Sequence, residues 1–405
     1  MFCLRGYVGW VKKNVKIMYY IIGLCILLLC LGMICSKQNI FSPTVITAMI
    51  WFVCVTLFLY FPHQLPELSS QFSTAIAIWL VCFSLCSLLM QSCCFSTSTI
   101  KCNVTIRDIY FWLSIACIPC LILFAQHAIA TGTTDHWALN LRNAAIGRGE
   151  NQEAYTPLYY LLWVVTYLLY LVDEENPNTK RTIIMGLLVA LFGAVTMSKT
   201  LILNLFIMTI FILYTRRIIK IRHILIGIAA IVTVLLIMQG VRQAVTMDKN
   251  ATQSTIVLYI LSNMSAFDTL QPYSSEHFGE NVFRIYYAIT YKLGLSDIVP
   301  VNPILPWIEK PIATNTYTTL YPFFKDFGYV GIGIFGSLLG LFYGWIFKKH
   351  QENCLFYTIM YAYFCTLLVT QYNGDGVFTN IAGHVKMLLI LCVPFVVDKY
   401  KLLRR

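Results

Sequence analysis

The chain has 405 residues, 58% of them hydrophobic and only 12% charged, with a mean hydropathy of +0.71. A soluble domain carries about twice that charged share, so the composition excludes a globular protein in water and calls for a backbone that satisfies itself within lipid. The net charge of +11 would suit nucleic acid in a soluble protein, but here Lys and Arg fall in short clusters between apolar runs. That is the positive-inside pattern of a membrane protein.

The apolar runs are long and do not alternate, which predicts helices rather than a barrel. In chain order, spans are expected near 17 to 35, 43 to 61, 73 to 90, 108 to 130, 156 to 172, 182 to 197, 200 to 214, 223 to 240, 328 to 347, 354 to 370 and 380 to 398. This is an all-α polytopic fold of about eleven transmembrane helices. The sixth and seventh spans meet at Ser198-Lys199-Thr200, which predicts a tight hairpin at the membrane face. Residues 1–17 read as an N-terminal extension set by an upstream start, 18–398 as a single transmembrane domain, and 399–405 as a basic tail.

With the C-terminus cytoplasmic, the inside segments hold Lys37, Lys101, Arg107, Lys180, Arg181, the cluster Arg216 to Arg222, Lys348, Lys349 and the tail, while the short outside loops 62–72 and 371–379 hold no Lys or Arg. Arg5, Lys12, Lys13 and Lys16 oppose this orientation. Two outside loops are large, 131–155 and 241–327, and a protein that gathers its polar residues on one side of the bilayer is expected to act there. Within the spans, His127 and Lys386 are expected to face the bundle interior or a wet cavity. Most of the fifteen cysteines lie in apolar runs as small hydrophobes. Cys93, Cys94 and Cys102 lack the second half of a zinc site, so no metal is expected.

In the first large loop, Arg142 and Arg148 are candidates to grip phosphate in a forked geometry, with Trp137 placed to stack on a sugar. The same spacing fits a solvated loop with ion pairs to Asp135, Glu150 and Glu153. Lys199 and Arg242 stand at the ends of apolar runs, where a long cation either snorkels or serves a ligand at the membrane face. The second large loop is nearly neutral and rich in aromatics, which suits carbohydrate or an interfacial aromatic belt. His277, between Glu276 and Glu280, is a candidate base without a metal motif.

The stretch Asn315-Thr-Tyr317-Thr is followed by Asp326-Phe327-Gly328 and a helix with glycines at 331, 333, 336, 340 and 344. Upstream lie Lys37-Gln-Asn-Ile-Phe-Ser-Pro43, Ser198-Lys199-Thr200 and Pro306-Trp-Ile-Glu-Lys310-Pro311. This set resembles the Wzy-type oligosaccharide repeat-unit polymerases of O-antigen and capsule over most of residues 18–398. One departure is that none of Arg142, Arg148, Arg242 and Arg284 has glycine at the spacing of the paired Arg-x10-Gly motifs described in some members.

The resemblance implies a multi-helix architecture like that of the lipid-linked glycan transferases (GT-C-like), in the bacterial inner membrane. It also implies transfer of a growing glycan from undecaprenyl pyrophosphate to a newly flipped lipid-linked repeat unit, beside a flippase and a chain-length regulator, with no cofactor and no nucleic acid. Under it, Arg142, Arg148, Lys199 and Arg242 are expected to hold pyrophosphate. Arg284, Lys310, Asn315 and Tyr317 are further cationic or glycan contacts. Asp326 is expected either to cap the ninth helix or to act on the acceptor as base. The alternatives are an O-antigen ligase, another lipid-linked sugar transferase, and a flippase, whose expected internal repeats the lopsided plan of this chain lacks.

Overall fold

The computed structural model describes residues 2–94, 101–147, 157–246, 257–309 and 313–403. Its helices in chain order are α1 (Phe2–Cys35), α2 (Pro43–Tyr60), α3 (Ser70–Ser92), α4 (Val104–Ala116), α5 (Ile118–Thr131), α6 (Trp137–Ile146), α7 (Leu158–Val172), α8 (Thr179–Val195), α9 (Lys199–Thr215) and α10 (Ile221–Thr246). There follow α11 (Ser262–Phe267), α12 (Arg284–Lys292), α13 (Tyr321–Gln351), α14 (Leu355–Val369) and α15 (Ile381–Leu403). Among the described residues no strand forms, beyond one antiparallel bridge between Ile308 and Thr314. Each expected span has its helix, and six helical stretches are long and apolar enough to cross a membrane, with shorter apolar helices beside them. The chain is a polytopic all-α membrane protein.

The departures from expectation have local causes. The fourth span breaks at Cys117 into α4 and α5, because Pro119 at the start of α5 has no N–H to continue the ladder. α13 is broken at Gly328, whose φ 60° and ψ −147° are not helical, so a short helical stretch from Tyr321 precedes the kink and the span itself follows it where expected. His127 and Lys386 are exposed on the protein surface rather than turned inward. Each lies within two turns of a helix end, at Thr131 and Ile381, where the side chain reaches the polar boundary.

The chain divides into two compact units of interleaved segments. The first comprises Met1–Phe95, Gln253–Lys348 and Leu367–Ala382, and the second Ser96–Thr252, Lys349–Thr366 and Gly383–Arg405. In the second unit, the junction of α8 and α9 is the tight turn expected: Met197 adopts φ 48°, its N–H donates to Ala194 O, and Ser198 N–H donates to Gly193 O at 2.9 Å. One end of α4, α7 and α8 is tied by charge. Buried Arg107 pairs with Asp173, while Asp108 takes Arg181 at 2.8 Å and the Tyr170 hydroxyl at 2.7 Å. Pro394 inside α15 deprives the Ile390 carbonyl of its usual donor, and the Tyr110 hydroxyl supplies one at 2.9 Å.

In the first unit, α3 and α13 approach closely enough for their backbones to touch. A Cβ on Gly340 would lie 2.3 Å from the Phe83 carbonyl oxygen, and one on Gly344 2.5 Å from that of Ser87. Close approach through small residues is how helices gain packing energy in lipid, where no hydrophobic force drives them together. Gly340→Ala is expected to cost about 1–3 kcal/mol by overpacking against main chain that cannot step aside. Gly333→Ala meets nothing closer than 3.6 Å and is expected to be neutral or mildly stabilising. Thermal unfolding of both variants in the same detergent checks the contrast.

Candidate functional site

The long polar segment of the first unit does not hang free; buried polar side chains bind it to the spans. Ser69 caps α3, and Asp268 sits over the same helix end, accepting from Ser69 N–H at 2.7 Å, Ser69 Oγ at 2.6 Å and Phe72 N–H at 3.2 Å. An anion is favoured there by the helix dipole and its unpaired amides. Buried Gln371 accepts from both Trp51 Nε1 (2.9 Å) and Trp79 Nε1 (3.1 Å), and its main-chain carbonyl accepts from Thr319 N–H at 2.8 Å. Asn263, fully buried, donates to the Tyr259 and Tyr372 carbonyls and accepts from Thr316 Oγ1. The Asn315 to Thr318 stretch is thereby fixed from both sides.

Asp326-Phe327-Gly328 fastens the turn 273–283. Asp326 lies in the second turn of the short helical stretch that runs from Tyr321 to the kink at Gly328, and is not its N-cap. Its Oδ1 accepts from Ser275 Oγ and Asn281 Nδ2, and its Oδ2 from the N–H groups of Asn281 (3.1 Å) and Val282 (2.9 Å). Four donors use the roughly four lone-pair directions of an ionised carboxylate. Phe327 packs on Phe278 and Phe283 of the same turn at 5.2 and 6.2 Å between centroids. Gly328, at φ 60° and ψ −147°, occupies backbone space close to that reserved for glycine, and a Cβ there would lie 2.7 Å from the Tyr273 ring.

Against this turn lies a cleft of about 400 Å³ lined by Ser274, Glu276, His277, Glu280, Val299, Val301 and Lys325. Glu280 is buried, and its two oxygens accept the N–H groups of Glu276 (3.3 Å) and His277 (3.2 Å), while Glu276 and His277 themselves are exposed. Arg284 donates to the Val301 carbonyl at 2.7 Å and to that of Thr379 at 3.1 Å, which fixes the valine wall. Among the described residues no group of three His, Cys, Asp or Glu side chains is arranged to hold a metal.

The other expected site residues separate. Tyr317 is buried, with its hydroxyl on the Pro306 carbonyl and its ring 4.8 Å from that of Tyr321. Burial first, and then Tyr321, push its phenol up to about 12. The structure therefore uses its ring in the core, and Asn315 beside it is half-buried. Arg142 lies on α6, whose Trp137 is exposed and whose end is capped by Gly147 at φ 69°, and half-buried Lys199 opens α9. Arg242 is on the last two turns of α10, past the part whose side chains are described, and Arg148 and Lys310 lie outside the described residues.

The sequence reading did not single out Asp375. Its carboxylate accepts N–H groups from Val377, Phe378 and Thr379 at 3.0 to 3.3 Å and closes the turn before α15. Burial raises this carboxyl from 3.8 to about 6, against the lowering effect of those donors. A folded value above the unfolded one means stability that is full below the unfolded pKa and lost as pH rises through about 6. The shift corresponds to about 3 kcal/mol once the group is ionised. The unfolding temperature is expected to fall as pH rises from 3.8 to about 6 and to level off above that, and Asp375→Asn, which keeps an acceptor and cannot ionise, is expected to flatten that fall.

Fold and site together define a polytopic membrane protein whose long extramembrane segment folds onto the ends of its own spans around a polar cleft. The family model described as "Putative O-antigen polymerase" matches residues 39–370. The chain belongs to this O-antigen polymerase family. It is also similar to an O-antigen polymerase of Shigella dysenteriae, 31% identical over 99 residues, which is 24% of this chain and 25% of that relative. The similar stretch thus spans about a quarter of the curated relative's length. No solved structure matches the chain.

Proposed function

We propose that this chain is a glycosyltransferase-type polymerase, joining lipid-linked oligosaccharide repeat units into O-antigen or capsular polysaccharide at the outer face of the bacterial inner membrane. The observation that carries the reading is the family match over residues 39–370, which takes in nine of the eleven expected spans and the folded segment around the cleft. The positive-inside distribution supports an outer placement of 131–155 and 241–327 and a cytoplasmic C-terminus. A flippase would deliver the substrate to that face, and a chain-length regulator would act beside the enzyme.

In this reading the donor is a glycan joined at its anomeric carbon to undecaprenyl pyrophosphate. An acceptor hydroxyl oxygen forms the new bond to that carbon, the bond from carbon to the pyrophosphate oxygen breaks, and the hydroxyl proton passes to a base. Charge accumulates on the leaving pyrophosphate, so fixed cations in a poorly solvated site lower the barrier. Arg142, Arg148, Lys199 and Arg242 are the proposed holders, with the two arginines of the first large loop foremost because a guanidinium can grip phosphate through two N–H groups.

Deletion of the gene is expected to leave cells with single repeat units on lipid A or carrier in place of a ladder of lengths, and the intact gene is expected to restore the ladder. Loss of a flippase would remove even the single-unit band, and loss of a ligase would leave unattached polymer. Among point variants, Arg142→Ala and Arg148→Ala are expected to lower polymerisation about a hundredfold at unchanged membrane abundance. The Lys substitutions should lose less, since charge remains without the fork. Normal ladders from all four Ala variants, including Lys199→Ala and Arg242→Ala, would move the pyrophosphate site elsewhere.

A further inference from the structure

The polymerase reading requires a seat for the sugar that accepts the growing chain. The cleft at the turn 274–280 has the size, the walls and the charge for one. Its volume of about 400 Å³ falls at the lower end of small-molecule sites, enough for the end of a saccharide and too little for a polymer. Val299 and Val301 offer apolar surface for the C–H face of a sugar ring, in a lining whose Glu276 and Glu280 can accept from hydroxyls. Glu280 has one backbone N–H on each oxygen, which orients it and leaves each oxygen a further lone pair.

The lining holds two acidic residues, Glu276 and Glu280, against one lysine, Lys325, so with His277 counted neutral it is anionic on balance. Pyrophosphate or a uronate would be repelled, whereas an uncharged or amino-bearing sugar would not. The walls are fixed in advance. Asp326 holds the turn through four hydrogen bonds, Arg284 holds Val301, and the Ser274 N–H donates to the Lys325 carbonyl at 3.0 Å. A site rigid before binding loses less to ordering when the sugar enters.

We propose that this cleft binds the non-reducing end of the acceptor oligosaccharide, selecting an uncharged or amino-bearing sugar, and that Asp326 is a positioning residue that shapes it. The inference rests on the polymerase reading. Asp326, with its lone pairs already taken by the protein, does not serve as the base.

The test uses full-length protein in nanodiscs and, as probe, the free repeat-unit oligosaccharide cut from the host's own surface polysaccharide. Glu276→Ala and Val299→Trp alter exposed lining residues and should leave the fold intact. Each is expected to weaken oligosaccharide binding about tenfold or more, with inorganic pyrophosphate unable to displace the probe from the wild type. In the deletion strain both variants should shorten the ladder at normal abundance. Asp326→Asn should weaken binding while the residual polymerisation keeps the wild-type pH profile; loss of one limb of that profile would make Asp326 the base and overturn its assignment. Wild-type binding and ladders from both Glu276→Ala and Val299→Trp, or displacement of the probe by pyrophosphate, would overturn the cleft while leaving the polymerase standing. Failure of the intact gene to restore any ladder would remove the polymerase reading and the acceptor role together.

Discussion

A peptide group in hydrocarbon has no water to bond, and this constraint governs the chain from end to end. It makes every span a helix and decides how each interruption is repaired. Pro119 opens a new helix rather than bending the old one, and the carbonyl orphaned by Pro394 is met by the Tyr110 hydroxyl. Where α3 and α13 meet, glycine lets main chain lie on main chain, so packing replaces a hydrophobic force that lipid does not supply.

The same constraint shapes the polar segments of the first unit. A long connection buried against spans must satisfy its own N–H and carbonyl groups, and it does so through a few side chains that each serve several partners. Asp268 occupies the start of α3, Gln371 joins two tryptophans and the chain at Thr319, and Asn263 ties the loop after α14 to Thr316. Asp326 does most of this work for the turn that borders the cleft. Such residues are costly to bury alone and stabilising once paired, and they hold the described parts of the segment against the spans.

Rigidity matters for the proposed chemistry. Glycosyl transfer from a lipid carrier asks the protein to hold two saccharides in line and to offset charge on the leaving pyrophosphate, tasks of positioning and electrostatics. The described cleft is the proposed seat for one of those saccharides. Its anionic lining separates it chemically from the cationic groups proposed for the pyrophosphate, so one face of the enzyme need not recognise both ends of the reaction.

Periodicity and hydropathy in the sequence determined the helices expected as spans and the hairpin at Ser198 to Thr200, because burial in lipid is a property of local composition. The family motifs were legible as a pattern, and their task was not. Tyr317 read as a glycan contact and proved a core ring; Asp326 read as a helix cap or base and holds a turn more than forty residues upstream. His277 and Glu280 were visible as a local cluster, but nothing in spacing joins them to Val299, Val301 and Lys325. Tertiary structure alone decided that cleft and the burial of Asp375, because a hydrogen bond between distant residues leaves no period in the sequence and a carboxyl's environment is set by what folds over it.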